Sequence, residues 1–147
     1  MTDSHGWTLS KIISTQFEMR DNLKWKLSLR LTQDIDVSKL GIRYLHLGKN
    51  LIGNAGAIQL AHAIKQDAYM RGVSLRHNKI GEAGMIELIQ AAHCNKNLLH
   101  MDIRENHNCY NKKKLNERVK EELLFNLKNL VLSYVERAGA VEKQKAQ

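Results

Sequence analysis

The sequence predicts an α/β chain assembled by stacking strand–loop–helix units, and three observations lead there. A nine-residue phrase is written three times: IRYLHLGKN from Ile42, MRGVSLRHN from Met70 and LLHMDIREN from Leu98. Apolar residues hold its first, fourth and sixth positions, and Asn50, Asn78 and Asn106 close the copies at one constant interval of twenty-eight (78 − 50 and 106 − 78). After the first two phrases the glycines Gly53/Gly56 and Gly81/Gly84 recur at the same interval. Behind each glycine pair comes a helical pattern, in which Leu60 and Leu88, and Ala63 and Ala91, keep that interval again. The alternation of Leu45 and Leu47 with Tyr44, His46 and Gly48 has the period of a half-buried strand. The spacing of Ala57, Leu60, Ala61 and Ile64 has the period of a helix buried on one face.

A phrase of the form L-x-x-L-x-L-x-x-N with a period in the twenties is the signature of a leucine-rich repeat. The predicted fold is therefore a short leucine-rich-repeat solenoid with one unit per interval, a parallel sheet on the concave face and helical caps. The chain divides into an N-terminal capping segment (1–41), the repeats (42–106), a C-terminal amphipathic capping helix (107–138) and a flexible tail (139–147).

Each part has a physical task. In the capping segment, positions 14–31 read as a helix, since no Gly or Pro interrupts them. A competing reading places Phe17, Met19 and Asn22 in an eroded earlier repeat, because they precede Leu45, Leu47 and Asn50 by one repeat interval. In the repeats, the apolar strand residues stack on their counterparts in neighbouring units. The amides of Asn50, Asn78 and Asn106 satisfy backbone groups where the chain leaves the strand. Gly53 and Gly81 permit the tight loop that follows. Beyond Asn106 the template breaks off. From Leu115 a stripe of Val119, Leu123, Leu127, Leu130, Val131 and Val135 marks a long amphipathic helix, for which Asn111 is the expected N-cap. Lys112, Lys113 and Lys114 at its start oppose the helix dipole, so they are expected to be exposed or held by a partner. Repeats bury their faces only against neighbours, and such a short array needs either its caps or a larger assembly.

Composition narrows the function classes. The chain of 147 residues carries 23 Lys/Arg against 15 Asp/Glu. The excess rises along it: six against five over 1–41, eight against five over 42–106, and nine against five over 107–147. A basic surface favours acidic partners. Cys94 and Cys109 are too few for a disulfide framework. The N-terminus has no secretory core, and no run approaches the roughly 20 apolar residues of a membrane span. A soluble intracellular protein is expected.

In a stacked parallel sheet the residues between the buried ones face outward. The candidate partner-binding residues are thus Tyr44, His46, Lys49, Arg76, His77, His100, Asp102 and Arg104, with Gly48, Gly72, Ser74 and Glu105 beside them. Arg and Tyr are common anchors of protein interfaces. His46, Ser74 and Asp102 share one row, yet an open sheet offers neither an enclosed pocket nor an oxyanion hole, so no catalysis is expected. His93, Cys94, His107 and Cys109 lack the ligand spacing of a metal site, and no cofactor is implied. The start of the C-terminal helix, Lys112–Lys114, has only Tyr110 near it as an aromatic, whereas a nucleic-acid platform wants stacking aromatics along a basic groove. The partner expected is a protein.

The phrases LGKNLIGNAGAIQLAHAI and LRHNKIGEAGMIELIQAA resemble the ribonuclease-inhibitor type of leucine-rich repeat. Trp25-x-x-Ser28-Leu29-Arg30, the gap to Gly41-Ile42-Arg43, Leu51-Ile52-Gly53 and the closing LLHMDIREN look most like the leucine-rich domain of the seventy-eight-kilodalton centrosomal protein family. The resemblance spans roughly Trp25 to Asn106. It implies a non-enzymatic scaffold in a microtubule-based assembly, at a cilium, axoneme, centrosome or basal body, contacting an acidic partner surface. Related repeats also inhibit ribonucleases or regulate small GTPases, which leaves a regulator of a soluble enzyme as the alternative.

Overall fold

The computed structural model describes residues 1–30, 40–106 and 112–145. In order, the elements are α1 (Asp3–Arg30), β1 (Tyr44–His46), α2 (Asn54–Gln66), β2 (Gly72–Ser74), α3 (Glu82–Cys94), β3 (His100–Asp102) and α4 (Lys112–Lys145). The three strands form one parallel sheet in the order β1-β2-β3. Tyr44, Gly72 and His100 stand side by side, as do Leu45, Val73 and Met101, and His46, Ser74 and Asp102. The register therefore steps by the interval read from the sequence. The α/β layering follows from it: the helices line up on one side of the strands, α1 on α2, α2 on α3 and α3 on α4.

The core lies between these layers. Leu47, Ile52, Leu60, Ile64, Met70, Val73, Leu75, Ile80, Met85, Leu88, Leu98 and Ile103 are all buried. The small residues Ala57, Ala61, Ala63, Ala91 and Ala92 are buried with them and let the helices approach the strands. Ile42 and Leu45, at the sheet edge, are only half-buried. They have a neighbouring strand on one side alone.

A ladder of asparagines holds the turns together. Asn78 Nδ2 donates to the carbonyls of Leu47 (2.8 Å) and Leu75 (3.0 Å), and its Oδ1 accepts from the Ile52 N–H at 3.0 Å. Asn106 repeats the pattern with Leu75 (3.1 Å), Ile103 (2.8 Å) and the Ile80 N–H (3.1 Å). Both are buried. Asn50 is half-buried; its Nδ2 donates to Leu47 and Gly48, and its Oδ1 accepts from the Met1 ammonium at 2.7 Å. A second set caps helix C-termini. Asn95 Nδ2 donates to the carbonyls of Ile64 and Asp67, both at 2.7 Å. One layer on, Asn126 Nδ2 donates to Ala92, Asn95 and Leu98. Asn126 left no mark in the sequence pattern, because its partners lie outside its own helix.

The N-terminal segment departs from expectation. The helix starts at Asp3 rather than near position 14, and Phe17, Met19 and Asn22 lie within it, so they form no eroded strand. Yet α1 does copy a repeat helix, through a different register. Asp3, Gly6, Leu9 and Ile13 stand where Asn54, Ala57, Leu60 and Ile64 stand one layer on, at a shared offset of fifty-one (54 − 3 and 64 − 13). Asp3 Oδ1 accepts from the N–H groups of Gly53 (2.6 Å) and Gly56 (3.0 Å), capping α2. Asn54 Oδ1 accepts from Gly81 (2.8 Å) and Gly84 (3.0 Å), capping α3. The N–H of Leu51 donates to Met1 O at 2.8 Å, as that of Lys79 does to Ile52 O at 2.9 Å. A Cβ on Gly6 would lie 2.7 Å from the Gly56 Cα, so two glycines bring α1 and α2 together. Farther along α1, Gln16 Oε1 accepts from the Ile42 N–H at 3.0 Å and Arg20 Nη2 donates to Ile42 O at 3.1 Å. Both contacts fix the entry into β1.

The C-terminal helix also differs from its predicted extent. It runs on through Gly139 to Lys145 instead of ending at 138 and giving way to a flexible tail. A single glycine costs a helix only about 1 kcal/mol relative to alanine, and the surrounding Ala, Glu, Lys and Gln favour helix. Only its first turns join the core: Leu115 and Val119 are buried and Leu123 half-buried, while Leu127, Val131 and Val135 are exposed. The reason is length. Each residue adds the same rise along a helix axis, and α4 has more than twice as many residues as α3, so it outruns its support. The predicted N-cap, Asn111, lies outside the described residues.

Candidate protein-interaction face

The outward-facing side chains of the strands gather as the alternation predicted. Tyr44 and His46 of β1, Arg76 and His77 beyond β2, and His100, Asp102 and Arg104 of β3 and its following turn lie on one open face. Tyr44, His46, Lys49, His100 and Arg104 are exposed, and Ser74, Arg76, His77 and Asp102 half-buried. Gly72 is the exception, being buried. The Tyr44 ring lies across it: a Cβ on Gly72 would meet Tyr44 Cδ1 at 2.8 Å and His100 Cβ at 3.2 Å. The glycine thus makes room for an aromatic ring over the second strand, an arrangement that β-propensity alone would not suggest.

Backbone strain is concentrated along the rim of this face. Lys49, His77 and Glu105 hold φ of 57°, 55° and 59°, and they are the residues just before the three ladder asparagines. For an L-residue with a side chain the left-handed region costs roughly 1–2 kcal/mol, and glycine would remove most of that cost. Three charged or titratable side chains are carried there instead. Strain retained at aligned positions points to a role for the side chains.

The charges on the face are unevenly paired. Asp102 is held by its own neighbour: Arg104 Nε donates to Oδ1 at 2.9 Å, Nη2 to Oδ2 at 2.8 Å, and the Arg104 N–H to Oδ1 at 3.1 Å. These bonds hold the Asp102 carboxyl down at about 2, against an ordinary 3.8. Glu105 accepts from Arg76 Nε at 3.0 Å and from Arg76 Nη2, and its other oxygen meets His77 Nε2. The Arg76 hydrogen bonds, before any other influence, hold the Glu105 carboxyl below the usual range. Asp102 is thus spent within its own unit, while Glu105 reaches back onto Arg76 and His77 beyond β2. On the β1/β2 side a shallow cavity of about 430 Å³ is lined by His46, Gly48, Lys49, Ser74, Arg76 and His77, with no acid in its wall. That half of the face is basic.

His46, Ser74 and Asp102 do share a row, but both Asp102 oxygens are engaged by Arg104, and among the described residues no hydrogen bond links the three. Among the described residues no three His, Cys, Asp or Glu side chains gather closely enough to hold a metal ion; His107 and Cys109 lie outside them. No described helix is long and apolar enough to cross a membrane. Lys113 and Lys114 are exposed at the start of α4, and Tyr110 lies outside the described residues. Gly53 and Gly81 are the N-cap residues of α2 and α3, with extended backbone and no side-chain cap of their own, so the capping carboxylate and amide arrive from the preceding helix.

No family model matches the chain, and no curated protein matches it. Solved structures do. One is the leiomodin-1 actin-binding site 2, which superposes with a TM-score of 0.54 at 15% sequence identity, over 71% of this chain and 72% of that one. At this identity the likeness is one of fold.

Proposed function

We propose that the chain is a short leucine-rich-repeat solenoid that acts as a non-enzymatic protein-interaction scaffold in a cytoskeletal assembly. Its partner presents an acidic surface, which docks on the basic β1/β2 half of the concave face. The observation that carries this reading is the open parallel sheet face that presents Tyr44 together with a cavity lined by His46, Lys49 and Arg76 and by no carboxylate, with strained residues along its rim. Tyr44 supplies flat contact area, and the cations supply steering and register.

The finer placement is a microtubule-based assembly (a cilium, axoneme, centriole or basal body), within the cytoplasm and its cytoskeleton. Its support is the resemblance of Trp25–Asn106 and the fit of a basic face to the acidic outer surface of microtubules. Actin is the second reading, and the fold shared with an actin-binding site of leiomodin-1 favours it. Co-sedimentation separates them. The parent chain is expected to pellet with microtubules, and Lys49→Glu/Arg76→Glu to stay in the supernatant. Pelleting with actin filaments alone selects the second reading. If the parent pellets with neither, the cytoskeletal assignment fails; if the double variant pellets like the parent, the concave face is the wrong surface.

A further inference from the structure

Glu105 occupies an unusual position in this charge pattern. It belongs to the third unit, but both of its oxygens are turned onto side chains of the second: Arg76 through Nε at 3.0 Å and through Nη2, and His77 through Nε2. The backbone accepts a left-handed conformation, φ 59°, at the residue from which the side chain reaches across. The three side chains keep 43%, 40% and 38% of their surface for Arg76, Glu105 and His77, so water and a competing anion reach the pair readily. Arg76 and His77 also line the cavity that continues to His46 and Lys49. Among the described residues neither His46 nor Lys49 has a carboxylate partner.

We propose that Glu105 is an internal stand-in for the partner's carboxylate, which an acidic segment displaces when it docks. This rests on the proposed role of the concave face as an acid-binding surface, and it adds a competitor built into the chain. Before docking, one carboxylate occupies both Arg76 and His77. An arriving segment with several carboxylates takes these two side chains together with Lys49 and His46, a cluster that a single glutamate cannot span. The exchange trades one exposed pair for another at Arg76, and such pairs are weak. The net gain comes from Lys49 and His46, which start without a carboxylate. Glu105 then acts as a specificity filter: an isolated acidic group cannot outbid a tethered carboxylate, whereas a run of them can.

The test uses a fluorescent oligoglutamate peptide as probe, titrated at low salt against the parent chain, Glu105→Gln and Lys49→Glu. Glutamine keeps the shape and the β-carbon of Glu105 and removes only its charge. The expected result is about 2- to 5-fold tighter binding by Glu105→Gln, the range of an exposed ion pair, with the gap shrinking as salt rises. Lys49→Glu is expected to weaken binding. A thermal melt accompanies each variant, since a purely structural role for Glu105 would lower stability and weaken binding together. If Lys49→Glu weakens binding while Glu105→Gln binds no tighter than the parent, the acid-binding face stands and the stand-in role is overturned. If Lys49→Glu binds like the parent and the parent binds the probe no better than an uncharged peptide, the acid-binding face is overturned and the stand-in role with it.

Discussion

In Asn78→Ala the ladder loses its central rung, and the hydrogen-bond geometry sets the size of the loss. The Leu47 carbonyl keeps a partner in Asn50 Nδ2 at 3.0 Å, and the Leu75 carbonyl keeps one in Asn106 Nδ2 at 3.1 Å. The Ile52 N–H, which donates to Asn78 Oδ1 in the parent, is the group stranded outright in a buried site. A stranded buried donor costs about 1–3 kcal/mol, and each lost neutral hydrogen bond about 0.5–1.5 kcal/mol. One stranded donor and two lost bonds sum to about 2–6 kcal/mol, a large share of the stability of a domain this size. Asn50→Ala should cost about 1 kcal/mol or less. Asn50 is half-buried, one of its carbonyl partners is shared with Asn78, and its Oδ1 faces an ammonium group at the surface. Asn78→Asp is expected to be at least as harmful as alanine, since it sets a carboxylate oxygen against two carbonyls. Urea unfolding followed by circular dichroism gives the comparison directly. Equal losses for Asn50→Ala and Asn78→Ala would refute the reasoning, because they would mean that the shared inter-unit bonds contribute nothing.

Three further perturbations check other parts of the account. Lys49→Gly relieves a left-handed residue and should raise stability by about 1 kcal/mol while weakening partner binding; weaker binding with lower stability would contradict the idea that strain is kept for function. The Asp102 carboxyl, lowered to about 2 in the folded chain, favours the folded state above its ordinary value of 3.8. That contribution is lost as pH falls from about 4 through 2. Arg104→Gln should return the NMR titration of this carboxyl toward 3.8. Because Arg104 is largely exposed, solvent screens the pair and the change should shift acid stability only slightly. On α4, Leu115→Ala should cost about 2–5 kcal/mol, whereas Val135→Lys, at a position 63% exposed, should change stability by less than about 0.5 kcal/mol. Equal effects at the two sites would mean that the distal half of the helix is packed after all.

The repeat was legible because its constraint is periodic and local. The apolar strand positions, the asparagines and the helix faces all recur at one interval, so the sheet register and the core followed from the phrase itself. The outward row was legible for the same reason, since alternation along a strand fixes which residues face out. The helix ends were harder to read. Asp3 and Asn54 cap helices other than their own, and Asn126 closes the end of α3 from α4; such contacts join distant residues and leave no short motif. The repeat-like half of α1 was hidden because it matches the units at its own, longer offset, so a search at the repeat interval finds Phe17 and Met19 instead. The pairing of Glu105 with Arg76 and His77 was equally invisible. Charges one unit apart can attract or ignore each other, and the spacing does not say which.

Chemical-shift mapping shows whether the basic β1/β2 half of the sheet face receives the partner. With an acidic oligoglutamate peptide titrated into the isotopically labelled chain, the largest shifts are expected at Tyr44, His46, Lys49, Ser74, Arg76 and His77, with little change on the opposite side at His62 and Gln90. Shifts centred on the exposed stripe Leu127, Val131 and Val135 of α4, with the sheet face unmoved, would contradict it.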